Sequence, residues 1–239
     1  MDARTLARES FDRHLARNPY PGRGLVIGRS TANEWLVLYW IMGRSAQSRN
    51  RRFVAEGGVL RTEPVDASLV KDPSLIIYEA MLELPATHLV SNGDQTRTVH
   101  QALRAGGTFE GALATREREP DAPNFTPRIT GLLALAPPPG AVALSILRAG
   151  RLDPQQTDRY TYRPAPPLPG FGYGLTTYSG DGNPLPSFAG DPLLLPLDGG
   201  PEAVLDAYWN ALDAENRISL AVKAIAADGA SRLLVRNRF

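Results

Sequence analysis

The sequence predicts a mainly antiparallel α+β fold, and three observations carry that reading. Strand-like segments outnumber helical ones by more than two to one, hairpin-sized turns join most neighbours, and few helices fall between consecutive strands. Parallel sheets need crossovers of a dozen or more residues, so this order argues against a doubly wound sheet. At 239 residues the chain suits one domain with a sizeable core; 1–239 reads as a single domain, with 1–18 as a helical extension.

Residues 3–17 carry Leu6, Phe11 and Leu15 at loosely helical spacing, and the helix stops before Asn18-Pro19. Strands 24–28 and 35–42 flank the turn Thr31-Ala32-Asn33-Glu34, the second being nearly continuous aliphatic and aromatic. Further strands are expected at 58–65, 75–81 and 88–91, then helices at 96–105 and 109–118, interrupted by Gly106-Gly107. Strands resume at 128–136, 141–147, 159–163 and 172–178, with a proline-rich turn at 137–140. A Gly-, Pro- and Asp-rich loop over 179–197 leads to a helix at 201–212 that opens on proline. Strands 217–226 and 231–236 pair across Asp228-Gly229. The helices gather in the middle and near the end, where they can cover two sheet faces.

The absence of cysteine excludes disulfides, thiolate metal sites and a cysteine nucleophile. The charged N-terminus lacks the apolar stretch of a signal peptide, and no run approaches the roughly 18 apolar residues of a membrane span. A soluble, cytoplasmic protein is expected, with no membrane partner. A net charge of +1 gives no broad field for nucleic acid. Lysine occurs only at 71 and 223, so the remaining basic side chains are arginine, either from genome base composition or for anion binding. Dinucleotide, P-loop, zinc and nucleophile-elbow signatures are missing, and His14, His88 and His100 are scattered, so no metal site is expected.

Dense polar clusters at strand ends remain. Residues 43–52 hold Arg44, Ser45, Ser48, Arg49, Asn50, Arg51 and Arg52. Such forks and hydroxyls suit a phosphate monoester, or a solvated loop that guards a sheet edge. Arg29, ending the preceding strand, is expected near this loop. In Ser91-Asn92-Gly93-Asp94-Gln95-Thr96, Asp94 is placed as a helix N-cap, a role compatible with a ligand at the same turn. Two prolines hold Asn124, Thr126 and Arg128 in fixed relation. Segment 178–188 is turn chemistry or closes over a site. Glu79, after Tyr78, lies either on a solvent face or buried as an acid or base.

Together these stretches resemble the archaeal-type IMP cyclohydrolases and their bacterial branch. The resemblance rests on Gly22-Arg23-Gly24-Leu25-Val26-Ile27-Gly28-Arg29, on Tyr39-Trp40-Ile41-Met42-Gly43-Arg44-Ser45 with Ser48-Arg49-Asn50-Arg51, on residues 90–96 and on Asn124-Phe125-Thr126-Pro127-Arg128-Ile129. It implies a four-layer αββα sandwich like the N-terminal-nucleophile hydrolases, though a chain starting Met1-Asp2 offers no N-terminal nucleophile. It implies closure of 5-formamidoimidazole-4-carboxamide ribonucleotide to IMP with loss of water, a purine monophosphate ligand and no cofactor; homo-oligomerisation stays open. The implied phosphate ligands are among Arg29, Arg44, Arg49 and Arg51, with Ser45, Asn50, Ser91, Gly93, Asp94, Asn124, Thr126 and Arg128 lining the site. Asn92 with Asn124 would orient the reacting groups, Tyr78 or Glu79 would move the proton, and Arg44 belongs to the catalytic set. A non-catalytic nucleotide-binding protein and an amidohydrolase on the same fold are the alternatives.

Overall fold

The computed structural model describes residues 2–70 and 77–239. Its strands are β1 (Gly24–Arg29), β2 (Trp35–Met42), β3 (Arg52–Glu56), β4 (Val59–Glu63), β5 (Glu79–Leu84), β6 (Thr87–Ser91), β7 (Arg128–Ala134), β8 (Ala141–Ala149), β9 (Thr157–Tyr162), β10 (Phe171–Thr176), β11 (Leu193–Pro196), β12 (Arg217–Ile225) and β13 (Ser231–Asn237). The helices are α1 (Ala3–Phe11), α2 (Ala46–Arg49), α3 (Gln95–Arg104), α4 (Phe109–Ala114) and α5 (Pro201–Ala211). Among the described residues these strands form a six-stranded sheet, β11-β10-β1-β2-β12-β13, and a seven-stranded sheet, β3-β4-β5-β6-β7-β8-β9. Neighbouring strands pair antiparallel in both.

β2 is buried at every position because both its faces are covered. Tyr39 points into the space between the sheets and stacks on Phe53 with ring centroids 5.4 Å apart. Its neighbour Trp40 points the other way, 6.3 Å from Tyr208 of α5. That period of two makes a doubly covered strand read as an unbroken apolar run. The sheets meet closely at β1 and β7, where a Cβ on Gly131 would lie 2.8 Å from Ile27 Cδ1. α1 and α5 cover the six-stranded sheet, with Phe11 edge-on to Tyr208 at 5.0 Å. α3 and α4 cover the other sheet through a separate cluster of Leu89, Val99, Phe109, Leu113 and Leu132. The α+β, mainly antiparallel expectation holds, with helices outside both sheets.

Several boundaries differ. β3 and β11 were not anticipated: in β3 Phe53 is fully packed while Arg52, Ala55 and Glu56 are exposed, and β11 ends on a proline. Both are edge strands, where an alternating or proline-containing pattern hides the sheet signal. The expected loop at 43–52 contains α2, closed by a capping box between Ser45 and Ser48. The first helix is regular only to Phe11 and continues as a π-helical segment, Asp12–Ala16. α4 stops at Ala114, four residues short of the expected end at 118. The strand expected at 75–81 starts at Glu79, and its residues 75–76 lie outside the described ones. Among the described residues no helix is long and apolar enough to cross a membrane.

Register decides which loops share an end. Gly24 pairs with both Trp40 and Thr176, so the start of β1 and the ends of β2 and β10 coincide. Ser91 at the end of β6 lies opposite Thr130 near the start of β7. The Arg23 guanidinium donates to the Asn92 carbonyl at 2.9 Å, which joins these two sets across the sandwich. At the far end, Lys223 of β12 donates to the Gly58 carbonyl at 2.9 Å and pairs with Glu83 of β5, tying the sheets together.

Candidate functional site

At the shared end, four chain segments enclose a cavity of about 420 Å³. Tyr20, Gly22 and Arg23 come from the approach to β1, and Met42, Arg44, Ser45, Gln47, Ser48 and Arg51 from the exit of β2. Glu119, Asp121, Asn124 and Thr126 precede β7, and Tyr178 and Leu185 follow β10. Among the described residues, every lining arginine comes from residues 20–51 and every lining carboxylate from 119–126. Gly22 has φ +72°, and a Cβ there would fall 2.2 Å from Thr177 Oγ1, so the chain enters beside Tyr178 only as glycine.

Deep in the cavity Arg23 grips Glu119 with two hydrogen bonds, 2.7 and 3.0 Å. Burial disfavours the charged Arg23, but the Glu119 carboxylate outweighs it and holds the guanidinium pKa well above its ordinary value. Arg51 is 5% exposed and has no carboxylate partner among the described residues. Its Nε donates to the Ser48 carbonyl at 2.9 Å and its Nη2 to that of Met42 at 3.3 Å. Burial, reinforced by Arg23, lowers its pKa. Beside both arginines the Tyr39 and Tyr78 hydroxyls share a hydrogen bond of 2.7 Å. Burial and the Tyr78 phenol push the Tyr39 pKa well up, so that hydroxyl keeps its proton.

Nearer the mouth, the half-exposed Arg44 lies over the Tyr20 ring, 5.0 Å from its centroid, and pairs with Asp181. Tyr20 stacks on Tyr178 at 5.9 Å. Tyr178 and Thr126 hydroxyls are 2.5 Å apart, and the Thr126 hydroxyl also reaches the Asp121 carboxylate. An ionised carboxylate only accepts, so Thr126 donates to Asp121 and Tyr178 donates to Thr126. Burial raises the Tyr178 pKa to about 12, consistent with a phenol that donates.

Of the residues expected from sequence, the structure brings Arg44, Ser45, Arg51, Asn124 and Thr126 to the cavity, with Tyr78 behind it through Tyr39. The others are engaged elsewhere. Arg29 sits at the far end of β1, about 17 Å along the strand from Gly24, and lies 5.4 Å from the Trp35 ring. Antiparallel pairing places Arg23, not Arg29, beside the exit of β2. Arg49 donates to the Gly43 carbonyl at 3.0 Å, and Asn50 exchanges bonds of 2.7 and 2.8 Å with the backbone of Asp66. The Asn92 amide is fully buried; it donates to the Pro127 carbonyl at 2.9 Å and accepts from Ile129 N–H at 2.9 Å. Ser91 donates to the Gly93 carbonyl at 3.0 Å. Asp94 makes no side-chain cap; its carboxylate takes Arg116 at 2.5 Å and Arg128 at 2.9 Å. Glu79 faces α3 and pairs with Arg97 at 2.6 Å. These contacts hold the turns around the cavity and leave these side chains outside its lining.

Among the side chains that line the cavity, the sequence reading gave no site role to Tyr20, Arg23, Gln47, Glu119 or Asp121, whereas Ser48 and Tyr178 belong to segments it singled out, 43–52 and 178–188. Arg23 was within reach: continuing the β1–β2 register past Gly24 puts it next to the exit of β2. Glu119 carried no such signal inside the charge run Arg116-Glu117-Arg118-Glu119.

One family model, that of the IMP cyclohydrolase-like proteins, matches residues 20–229. The match covers most of the chain and all the lining residues, and the chain belongs to that family. A search of curated proteins found no match.

Proposed function

We propose that this member of the IMP cyclohydrolase-like family closes 5-formamidoimidazole-4-carboxamide ribonucleotide to IMP. The observation that carries the reading is the buried Arg51 guanidinium, with no carboxylate partner among the described residues, beside the Arg23–Glu119 pair in a cavity sized for one nucleotide. In this reading the phosphate lies at the mouth against Arg44 and the Ser45 and Ser48 hydroxyls, and the base points inward.

The carboxamide nitrogen attacks the formyl carbon; a C–N bond forms while the formyl oxygen gains charge. Arg51 Nη1, which has no partner among the described residues, donates to that oxygen. A pre-oriented donor of this kind contributes roughly 3 kcal/mol to the transition state. Glu119, fixed by Arg23, has lone pairs left for the attacking nitrogen's N–H and accepts its proton. Glu119 then passes that proton to the oxygen, and the formamido nitrogen gives up its own N–H as the ring C=N forms, so the oxygen departs as water with both protons. Nucleophile and electrophile sit on one molecule, so folding them together in a fixed pose supplies several kcal/mol more.

The test is to incubate the purified protein with the formylated nucleotide and follow IMP by absorbance. Product above the uncatalysed rate supports the reading. Tight nucleotide binding without product would favour a non-catalytic binding protein.

A further inference from the structure

The lining contains a carboxylate that neither the phosphate nor the ring closure uses. Asp121 faces the cavity and has no ion-pair partner among the described residues. A free carboxylate in a pocket for an anionic nucleotide raises repulsion unless it accepts hydrogen bonds from neutral donors. Its orientation is fixed: Oδ1 accepts from Thr126 N–H at 2.6 Å and Oδ2 from the Thr126 hydroxyl. Those two bonds occupy about half of the roughly four lone-pair positions a carboxylate offers. Beside it, Asn124 Oδ1 is taken by the Leu185 N–H at 2.9 Å, which leaves the Asn124 amide nitrogen to donate. An acceptor and a donor side by side match a pair of vicinal hydroxyls, since each hydroxyl both donates and accepts.

Resting on the nucleotide reading above, we infer that Asp121, with Asn124, binds the ribose hydroxyls and makes the site selective for ribonucleotides over 2′-deoxyribonucleotides. In that pose the phosphate lies against Arg44 at the mouth, the base lies inward beside Arg51 and Glu119, and the sugar lies toward Asp121 and Asn124. Thr126 acts as a positioning residue, because it holds the carboxylate plane. A site built to bond a hydroxyl rejects the analogue that lacks it, since its own polar group is left unmatched. Asp121 is only partly buried, and water can replace the missing hydroxyl, so discrimination is on the order of tenfold, far below that of a sealed pocket.

The experiment measures dissociation constants of IMP and 2′-deoxy-IMP for the wild type and for Asp121→Asn, with a thermal melt to confirm folding. The wild type should bind IMP about tenfold more tightly, and the variant should bind the two alike, with its affinity for the deoxynucleotide nearly unchanged. The 2′-O-methyl nucleotide on wild-type protein probes the same contact without a substitution and should bind as weakly as the deoxy form or worse. An equal loss of affinity for both nucleotides in the variant would overturn the inference, as would an unchanged preference. Loss of turnover with the preference intact would also overturn it and put Asp121 in the proton transfer. If neither nucleotide binds the wild type, the nucleotide reading itself falls and takes this inference with it.

Discussion

Arg23 and Glu119 meet through two hydrogen bonds although 96 residues of chain separate them. Both side chains are buried, at 13% and 4% exposure. Removing either partner leaves an uncompensated charge, which costs about 3–5 kcal/mol. Arg23→Met and Glu119→Met should each lower stability by that order, while the double variant should lose much less than the sum. Chemical denaturation of the four proteins gives the coupling directly; additive losses would mean that the two groups act independently in the folded protein.

Arg51 obeys the opposite arithmetic. Among the described residues it has no carboxylate to leave behind, so Arg51→Gln removes two bonds to carbonyl oxygens and also a desolvated charge. Stability should change by no more than about 1–2 kcal/mol, while kcat falls about 10²–10³-fold. Turnover per folded molecule and the denaturation midpoint check both halves.

Arg44→Ala should weaken a nucleoside monophosphate about tenfold relative to the matching nucleoside, the modest size reflecting a half-exposed guanidinium. Titrating wild type and variant with both ligands cancels general damage. Equal loss for both would show that Arg44 supports the rim through Tyr20 and Asp181 and leaves the phosphate alone.

Acid should weaken the far end of the sandwich. Burial, with Lys223 adding to it, lowers the His88 pKa from 6.5 to about 4, against a smaller opposing pull from Glu83. Between those two values the unfolded chain takes up a proton that the folded one refuses, so stability falls as pH drops from about 6.5 toward 4. The full effect approaches about 3 kcal/mol. Denaturation midpoints across this range should slope in the wild type and flatten in His88→Gln. Burial works to raise the Glu83 pKa, but its bond to Lys223 outweighs that and lowers it, so its contribution is lost as pH falls below the ordinary 4.5.

The sheets were legible wherever a strand is covered on both faces, as at β2, since burial then leaves an unbroken apolar word in the sequence. Edge strands β3 and β11 left no such mark. In the site, Arg44, Ser45 and Arg51 were found because they crowd one loop, and Asn124 and Thr126 because prolines bracket them. Asn92 shows why local polarity misleads. An amide spent on Pro127 and Ile129 backbone looks the same in sequence as one waiting for a ligand. Glu119 was illegible for the converse reason, because its only distinguishing feature is a partner brought to it by the fold.

Tyr39 and Trp40 are adjacent residues with unrelated duties, one hydroxyl behind the cavity and one ring beneath α5. A single inserted residue within β2 would exchange their faces, burying an indole where the Tyr39–Tyr78 hydroxyl pair now sits and a phenol under the helix. Core and chemistry are therefore locked to the same parity, and drift in this strand can proceed by substitution alone. Length can vary at the other end, in the turns at 85–86, 137–140 and 227–229, which lie away from the cavity lining. Related chains that differ in length should carry their insertions there, and the arginine-bearing end should keep its spacing to the residue.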